Sequence, residues 1–160
     1  MNASIAIMQP YVFPYIGYFQ LIDAVDTFVF YDDVHFIKKG WIHRNRLLMD
    51  GKDYLFTIPL QKASQNKLIN EIKVLETEAW LDNWYRTLYQ CYAKAPYFIP
   101  VMELLRNIMD SSSDTISELA IKSIKDISSY IGLSTSFEVS SETYSDSKGM
   151  EKADRLIAIT

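Results

Sequence analysis

The sequence predicts an α/β protein whose core is a parallel sheet, with an inserted β-hairpin and several helices. Three observations support this fold class. Residues 4–31 follow a strand, turn, helix, strand order, which opens a βαβ unit. An Asp50-Gly51 turn separates two strand-like runs. Residues 76–130 hold three stretches with apolar residues at helical spacing. No linker divides the chain, so we expect one domain.

The first βαβ unit is predicted from short apolar segments and two prolines. Residues 4–8 are apolar and end at Gln-Pro, which is typical of a buried strand. Pro10 and Pro14 exclude a helix from the turn that follows. Apolar residues at helical spacing over residues 15–24 then predict a helix. The β-branched and aromatic residues 27–31 predict the second strand.

The later elements are predicted from turn chemistry, spacing and capping residues. The two arms of the hairpin span residues 41–49 and 54–60, and residues 69–75 are expected to form a further strand. Ser113 or Asp114 is the predicted N-cap of a long helix that ends at Gly132. The remaining predictions are helices over 76–93, 97–109 and 115–130, a strand over 135–140, a polar turn over 145–149 and a last helix from about 150.

Composition indicates an ordinary globular protein rather than a disordered or membrane-spanning one. Hydrophobic residues make up 49% and charged residues 22%, and the single cysteine, Cys91, fits a reducing compartment. No apolar run reaches the roughly 18 residues of a membrane span, and the N-terminus lacks signal-peptide features. The chain is therefore expected to be cytoplasmic.

The charge distribution favours a small anionic ligand over nucleic acid. The net charge is −4, but residues 35–73 hold eight Lys/Arg and three Asp/Glu, a local charge of +5. An acidic protein with one basic segment is a poor general nucleic-acid binder but can hold a phosphate or carboxylate. The alternative is that these basic side chains form a solvated face.

The turn after the first strand is the leading candidate for a binding site. In parallel sheets, ligands bind beyond the carboxyl ends of strands, where helix N-termini offer backbone N–H groups. Gly17 allows close approach, and the polar groups of Gln9, Tyr11, Tyr15 and Tyr18 are predicted to face the ligand. The alternative is that the aromatic residues only pack the helix onto the sheet.

Asp32 and Asp33 follow the second strand, again at a carboxyl end. Adjacent carboxylates there can bind Mg²⁺, ribose hydroxyls or an amine, or act as a base, so both are candidate catalytic residues together with Tyr18. The alternative is a helix or turn cap. The two histidines lie eight residues apart, which is not a specific ligand spacing, and no metal site of histidines is predicted.

Basic residues supply candidate anion contacts. Arg44 and Arg46 at alternate strand positions would point to one face and form a clamp. His35 and Lys38 belong to the same basic segment, and Lys148 precedes the last helix, where a phosphate could bind. For the arginines, the alternative is surface pairing with acidic side chains.

Five segments resemble the WbqC-like protein family over essentially the whole chain. They are "IAIMQPYVFPYIGYFQLIDAVDTFVFYDDVHFIKKGWIHRNRLL" (5–48), "FTIPL", the predicted tryptophan-containing helix (76–93), "KAPYF" and "KGMEKADRLI". His35 and His43 stand where Gln and Asn are common in the family. Members usually extend further, and the apolar last helix stops without a cap, so we expect the C-terminal part of the family domain to lie beyond Thr160. The resemblance implies bacterial O-antigen or surface-polysaccharide synthesis, with transfer of glycine or another acyl group to an amino-sugar.

A more distant similarity links "PYIGYFQLI" to the H-x-G-H-x-x-L-I signature of nucleotidyltransferases and pantothenate synthetases. It implies a Rossmann-like fold, and it leaves the cofactor open, with ATP and Mg²⁺ as one candidate. Tyr15 and Tyr18 occupy the two histidine positions. A tyrosine donates a hydrogen bond but supplies no positive charge.

Two functional hypotheses follow from these resemblances. The first is a transferase, with a sugar-nucleotide or an amino acid as its small-molecule substrate. The alternative is a non-catalytic binding or assembly protein that retains a degenerate nucleotide-binding fold. The sequence leaves the oligomeric state open.

Overall fold

The computed structural model describes residues 3–75, 77–111 and 113–160, and its centre is a parallel sheet of three strands. The strands are β1 (Ile5–Met8), β2 (Thr27–Phe30) and β5 (Ser136–Val139), in the order β1-β2-β5. This arrangement confirms the predicted α/β class. The carboxyl ends of all three strands meet at one edge of the sheet, because both pairings are parallel.

Helix α1 (Ile16–Asp23) connects β1 to β2 and confirms the predicted βαβ unit. Its buried side chains, Tyr18, Phe19 and Ile22, pack in one cluster with Phe28 and Phe30 of the sheet. Val29 is also buried, so three of the four residues of β2 are buried, as expected for the middle strand of a parallel sheet.

The hairpin is formed by β3 (Arg44–Met49) and β4 (Lys52–Thr57), as the Asp50-Gly51 turn predicts. Both turn residues have positive φ, 50° and 75°, the backbone that a tight hairpin turn requires. The hairpin is tied to the first turn by the backbone of Ile42, whose carbonyl accepts from Val12 N–H at 3.1 Å.

The prediction of a strand over residues 69–75 is wrong. The segment forms a single 3₁₀ turn (Ile69–Glu71) followed by isolated bridges. Val74 pairs with Leu60 and Lys73 with Thr115, so the segment has a different partner at neighbouring positions. A regular strand needs a continuous ladder with one neighbour, and this one has none along its length.

Three helices carry the second core cluster: α2 (Glu78–Tyr92), α3 (Phe98–Met109) and α4 (Ile116–Tyr130). The N-cap of α4 is Thr115 rather than the predicted Ser113 or Asp114. Only Thr115 has its hydroxyl bonded to the Glu118 N–H, at 3.2 Å, within a capping box. Gly132 follows the helix with φ +81°, which explains the predicted end there.

The chain returns to the sheet through β5 and continues into α5 (Ser140–Thr143), a 3₁₀ turn (Ser145–Ser147) and α6 (Lys152–Ile159). These elements place the start of α5 and the first half of α6 beside the carboxyl end of β2. Across the part of the chain that the structure describes, no helix is both long and apolar enough to cross a membrane.

Candidate functional site

Asp32 lies at the carboxyl end of β2 and accepts hydrogen bonds from three other residues. Its Oδ1 lies 3.0 Å from the Ser140 hydroxyl and accepts from the Ser141 N–H, also at 3.0 Å. Its Oδ2 accepts from the Ser141 hydroxyl at 2.8 Å and from the Asn70 amide at 3.1 Å. A carboxylate offers about four lone-pair positions, so both oxygens of this group are largely occupied by contacts within the chain.

Asp33 forms a buried ion pair with Arg155 of α6. Its Oδ2 accepts from an Arg155 terminal nitrogen at 2.5 Å, and the two side chains are only 1% and 6% exposed. Its Oδ1 lies 2.6 Å from the Ser140 hydroxyl, whose single proton is therefore shared between the two aspartates. We call Asp32, Asp33, Asn70, Ser140, Ser141 and Arg155 the carboxylate network.

Two further contacts fix the guanidinium of Arg155. Its Nε donates to the Ser147 hydroxyl at 3.2 Å, and its centre lies 4.9 Å from the ring centroid of Tyr31. Burial alone would raise the pKa of Asp33, but the hydrogen bonds from Arg155 and Ser140 and the Arg155 charge outweigh it and hold the pKa below its usual value. Asp33 is therefore ionised at neutral pH.

The carboxylate network differs from the open acid pair that the sequence predicts. Its oxygens are already bonded to serine, asparagine and arginine side chains, and the Asp32 and Asp33 side chains are buried. Within the described ranges, no group of three or more His, Cys, Asp or Glu side chains is placed to hold a metal ion. The network as it stands ties chain segments together rather than presenting a free carboxylate.

The three tyrosines of the first turn differ in burial: Tyr18 is buried, Tyr11 is half-buried and Tyr15 is exposed. Tyr18 is 1% exposed, packs edge-on against Tyr11 and donates its hydroxyl to the Gln9 carbonyl at 3.1 Å. Burial raises the pKa of Tyr18, and burial with the nearby Tyr15 raises the pKa of Tyr11 to about 12. Tyr15 is 68% exposed. The Tyr15 side chain is therefore accessible from solvent, whereas the Tyr18 hydroxyl is bonded within the chain.

A cavity of about 440 Å³ lies between the first turn and the hairpin, and we call it the turn–hairpin cavity. Its volume falls in the usual range for small-molecule sites. Most of its lining side chains are apolar, and Tyr15, Asn45 and Arg46 contribute polar groups. The lining consists of Phe13, Pro14, Tyr15, Asn45, Arg46, Leu47, Phe56, Trp84, Leu88, Leu105 and Ile127.

Arg46 brings a weakly paired positive charge to this cavity. Its Nε lies 3.2 Å from Asp53 Oδ2, and the two side chains are 56% and 71% exposed. Its guanidinium also lies 5.3 Å from the ring centroid of Trp41. An exposed ion pair contributes only about 0–1 kcal/mol, so an anionic ligand could replace Asp53 at little cost.

Arg44 shares the Trp41 ring with Arg46 but has a different role. Its guanidinium lies 5.5 Å from the Trp41 ring centroid and donates to the carbonyls of Gly40, at 2.8 Å, and Lys39. The two arginines therefore share a side of the hairpin, as the alternation predicts. Only Arg46 lines the turn–hairpin cavity.

The other predicted binding residues lie outside the lining of this cavity. His35 and Lys38 line a separate, open cleft of about 480 Å³ with Gln65 and Asn66. Lys148 is exposed after the 3₁₀ turn that precedes α6. Gln9 and Gly17 are half-buried at the first turn, where the Gln9 carbonyl bonds Tyr18.

The sequence analysis missed most partners of the two aspartates. Ser140, Ser141 and Arg155 lie more than 100 residues from Asp32 and Asp33 along the chain, so no local pattern joins them. One signal was available in α6. Arg155 stands directly before the apolar run Leu-Ile-Ala-Ile, and an arginine that is buried with such a run needs a partner.

The structure is an α/β protein with a cavity of about 440 Å³ beside the first turn of its parallel sheet. The chain belongs to the WbqC-like protein family, whose profile matches residues 9–160. It is 32% identical over 134 residues to the Uncharacterized protein Rv1507c of Mycobacterium tuberculosis, a match that covers 82% of this chain and 58% of that protein. The chain thus spans less than two thirds of this relative. No solved structure matches it significantly.

Proposed function

We propose that this chain is part of a transferase of bacterial surface-polysaccharide synthesis and binds a small anionic substrate in the turn–hairpin cavity. The pathway in this proposal is inferred from the family resemblance. The observation that supports the binding site is that aromatic side chains, an exposed tyrosine and a weakly paired arginine line one cavity of about 440 Å³. Such a combination fits a ligand with an apolar or ring-shaped body and one negative group.

The position of the cavity in the fold supports the same proposal. It is bounded by the turn that leaves the carboxyl end of β1, the edge at which parallel sheets bind ligands. Tyr15 is the N-cap residue of α1, so the exposed hydroxyl stands beside a helix N-terminus that favours negative charge. A sugar-nucleotide or an acyl-phosphate donor carries such a charge. ATP with Mg²⁺ is a further candidate ligand.

In this proposal the carboxylate network positions the site instead of performing the transfer. Asp32 and Asp33 hold β2, α5 and α6 together at the edge of the sheet where the first turn also lies. The proposed reaction is transfer of an acyl or aminoacyl group, such as glycine, to an amino-sugar.

Calorimetric titration of the purified chain with UDP-N-acetylglucosamine and with ATP–Mg²⁺ tests the proposal. We expect saturable binding of at least one ligand, and a loss of about tenfold or more in affinity for Arg46→Met, because a charge-assisted hydrogen bond is removed. Arg86→Met is the matched control, since Arg86 is also exposed but lies outside this cavity. Absence of binding, or equal affinity in Arg46→Met, would contradict the proposed site.

A second function, a non-catalytic binding or assembly protein, is favoured by one observation. Both aspartates at the strand end are engaged by the chain itself, which leaves no free carboxylate in the carboxylate network. The two proposals predict different effects of the same substitution on polysaccharide synthesis in cells. Arg46→Met should abolish surface-polysaccharide synthesis if the chain is a transferase, and should leave it intact if the chain only assembles other enzymes.

A further inference from the structure

One face of the β3–β4 hairpin carries exposed apolar and basic side chains together. Residues directly opposite each other in an antiparallel pair lie on the same face, and Arg46 is opposite Leu55 in this hairpin. Alternate residues of a strand also share a face, so Arg44 and Leu48 lie on the same side as Arg46. Leu48 and Leu55 are 61% and 46% exposed. The hairpin therefore presents two arginines and two accessible leucines on one side.

Trp41 and the loop before the hairpin extend this surface. The Trp41 ring centroid lies 5.5 Å from the guanidinium carbon of Arg44 and 5.3 Å from that of Arg46, and Trp41 is 45% exposed. Arg44 also donates to the carbonyls of Lys39 and Gly40, which ties the loop to the hairpin. We call this surface the basic hairpin face, and it consists of residues 37–41, Arg44, Arg46, Leu48 and Leu55.

The charge of this surface is opposite in sign to that of the whole chain. Residues 35–55 hold five Lys/Arg and two Asp/Glu, a local charge of +3, whereas the chain carries −4. Lys38 and Lys39 are exposed, and neither forms an ion pair with another described residue. An anionic surface therefore attracts the basic hairpin face and repels the acidic remainder, which favours one orientation of the chain.

The mixture of residue types on the basic hairpin face fits a lipid surface better than a protein partner. The centre of a protein–protein interface is apolar and depleted in lysine. On this face the lysines and arginines instead stand among the exposed side chains of Ile37, Trp41 and Leu48. Tryptophan is enriched at the boundary between lipid headgroups and hydrocarbon, and Lys and Arg side chains attract anionic headgroups.

We propose that the basic hairpin face docks on a membrane surface that contains anionic lipids. Lys38, Lys39 and the two arginines contact the lipid phosphates, while Trp41 and Leu48 enter the headgroup region. Arg46 also lines the turn–hairpin cavity, so docking brings that cavity beside the lipid headgroups. The inference goes beyond the proposed function and does not depend on it.

Flotation of the purified chain with lipid vesicles tests the electrostatic part of the inference. Vesicles of phosphatidylcholine alone are compared with vesicles of phosphatidylcholine and phosphatidylglycerol in equal parts. We expect binding to the anionic vesicles only. The double substitution Lys38→Gln and Lys39→Gln should weaken this binding by about tenfold or more, because one basic residue contributes about fivefold at an anionic surface. Lys94→Gln with Lys125→Gln is the matched control, since both lysines are exposed and lie outside the basic hairpin face.

Two further measurements test the entry of apolar side chains into the headgroup region. Leu48→Ser should weaken vesicle binding by about threefold or more, because an apolar side chain that leaves water stabilises the bound state. Ile99→Ser is the control, since Ile99 is 69% exposed on α3, outside the basic hairpin face. Brominated lipids in the anionic vesicles should quench the tryptophan fluorescence of the wild type, and should leave that of Trp41→Phe unquenched.

Each outcome has a distinct meaning. Equal binding to both kinds of vesicle, unchanged binding of the double lysine variant, or wild-type fluorescence that brominated lipids leave unquenched overturns the inference. Absence of binding to either kind of vesicle overturns it in favour of an acidic protein partner, and displacement of the chain from vesicles by free glycerol phosphate overturns it in favour of a soluble phosphate ligand. The calorimetric test of the turn–hairpin cavity uses no lipid, so each of the two proposals can fail while the other stands.

Discussion

His43 is a histidine whose surroundings oppose its positive charge. It precedes β3, and its ring centroid lies 5.3 Å from that of Phe36. Its Nδ1 is buried, and no described residue forms a hydrogen bond with it. Burial, and then the charge of the neighbouring Arg44, lowers the pKa of His43 from its ordinary value. The folded chain therefore favours the neutral ring.

The lowered pKa of His43 predicts a pH-dependent stability. The unfolded chain binds the proton at about pH 6.5, and the folded chain binds it only at lower pH. The contribution of the neutral His43 ring to the free energy of unfolding is therefore complete above about pH 6.5 and is lost as pH falls toward the folded-state pKa. We expect the free energy of unfolding, measured in urea from pH 8 to pH 5, to fall less steeply for His43→Asn than for the wild type. A slope for His43→Asn identical to that of the wild type would refute the assignment.

Tyr15 and Tyr18 show how backbone geometry separates two similar residues. Three positions apart, they would share a helix face if both were helical. Tyr15 instead has ψ 163° and lies outside α1, while Tyr18 is within its first turn. Its side chain is directed into the core between Tyr11 and Phe28. The sequence predicts that tyrosines stand at this turn, but the location of the helix start decides which one is exposed.

Among the elements, α4 links the two core clusters and begins at a capping box. Ile116, Leu119 and Ala120 pack in the larger cluster, and Ile124 packs with the sheet. The Glu118 carboxylate accepts from the N–H groups of Thr115, at 3.3 Å, and of Asp114, at 2.8 Å. The start of α4 therefore positions side chains in both cores.

Removal of this cap should lower the stability of the chain measurably. Thr115→Ala deletes the hydroxyl that accepts from the Glu118 N–H, and we expect a loss of about 1 kcal/mol in the free energy of unfolding. Thr77 is the N-cap of α2 but its side chain makes no capping hydrogen bond, so Thr77→Ala is a matched control expected to change stability by no more than about 0.5 kcal/mol. Urea denaturation of both variants provides the comparison. Equal losses would show that the cap bond contributes nothing specific.

On the scale of the whole molecule, the carboxylate network joins segments that are distant along the chain. Asp33 and Arg155 are separated by 122 positions, and Asp32 and Ser141 by 109. The network thus fastens α5 and α6 to the middle strand of the sheet. Losing one charge of the buried pair would leave the other without its partner, which is far more costly than losing an exposed pair.

Asp33→Asn tests this role against an exposed ion pair of the same chain. We expect a loss of about 3–5 kcal/mol in the free energy of unfolding, because Arg155 would remain buried and charged. Asp53→Asn removes the exposed partner of Arg46 and should cost no more than about 1 kcal/mol. A loss for Asp33→Asn as small as that for Asp53→Asn, in the same denaturation experiment, would mean that the buried pair does not hold the fold.

The sequence by itself determined the βαβ unit, the hairpin and the main helices, because prolines, the Asp-Gly turn and helical spacing act over a few residues. It also singled out Tyr15 and Arg46. Only the tertiary structure decided that these two share a cavity with Trp84 and that Asp32 and Asp33 are bonded to Ser140, Ser141 and Arg155. Those contacts depend on the packing of elements up to 122 positions apart, and no local pattern encodes such distances.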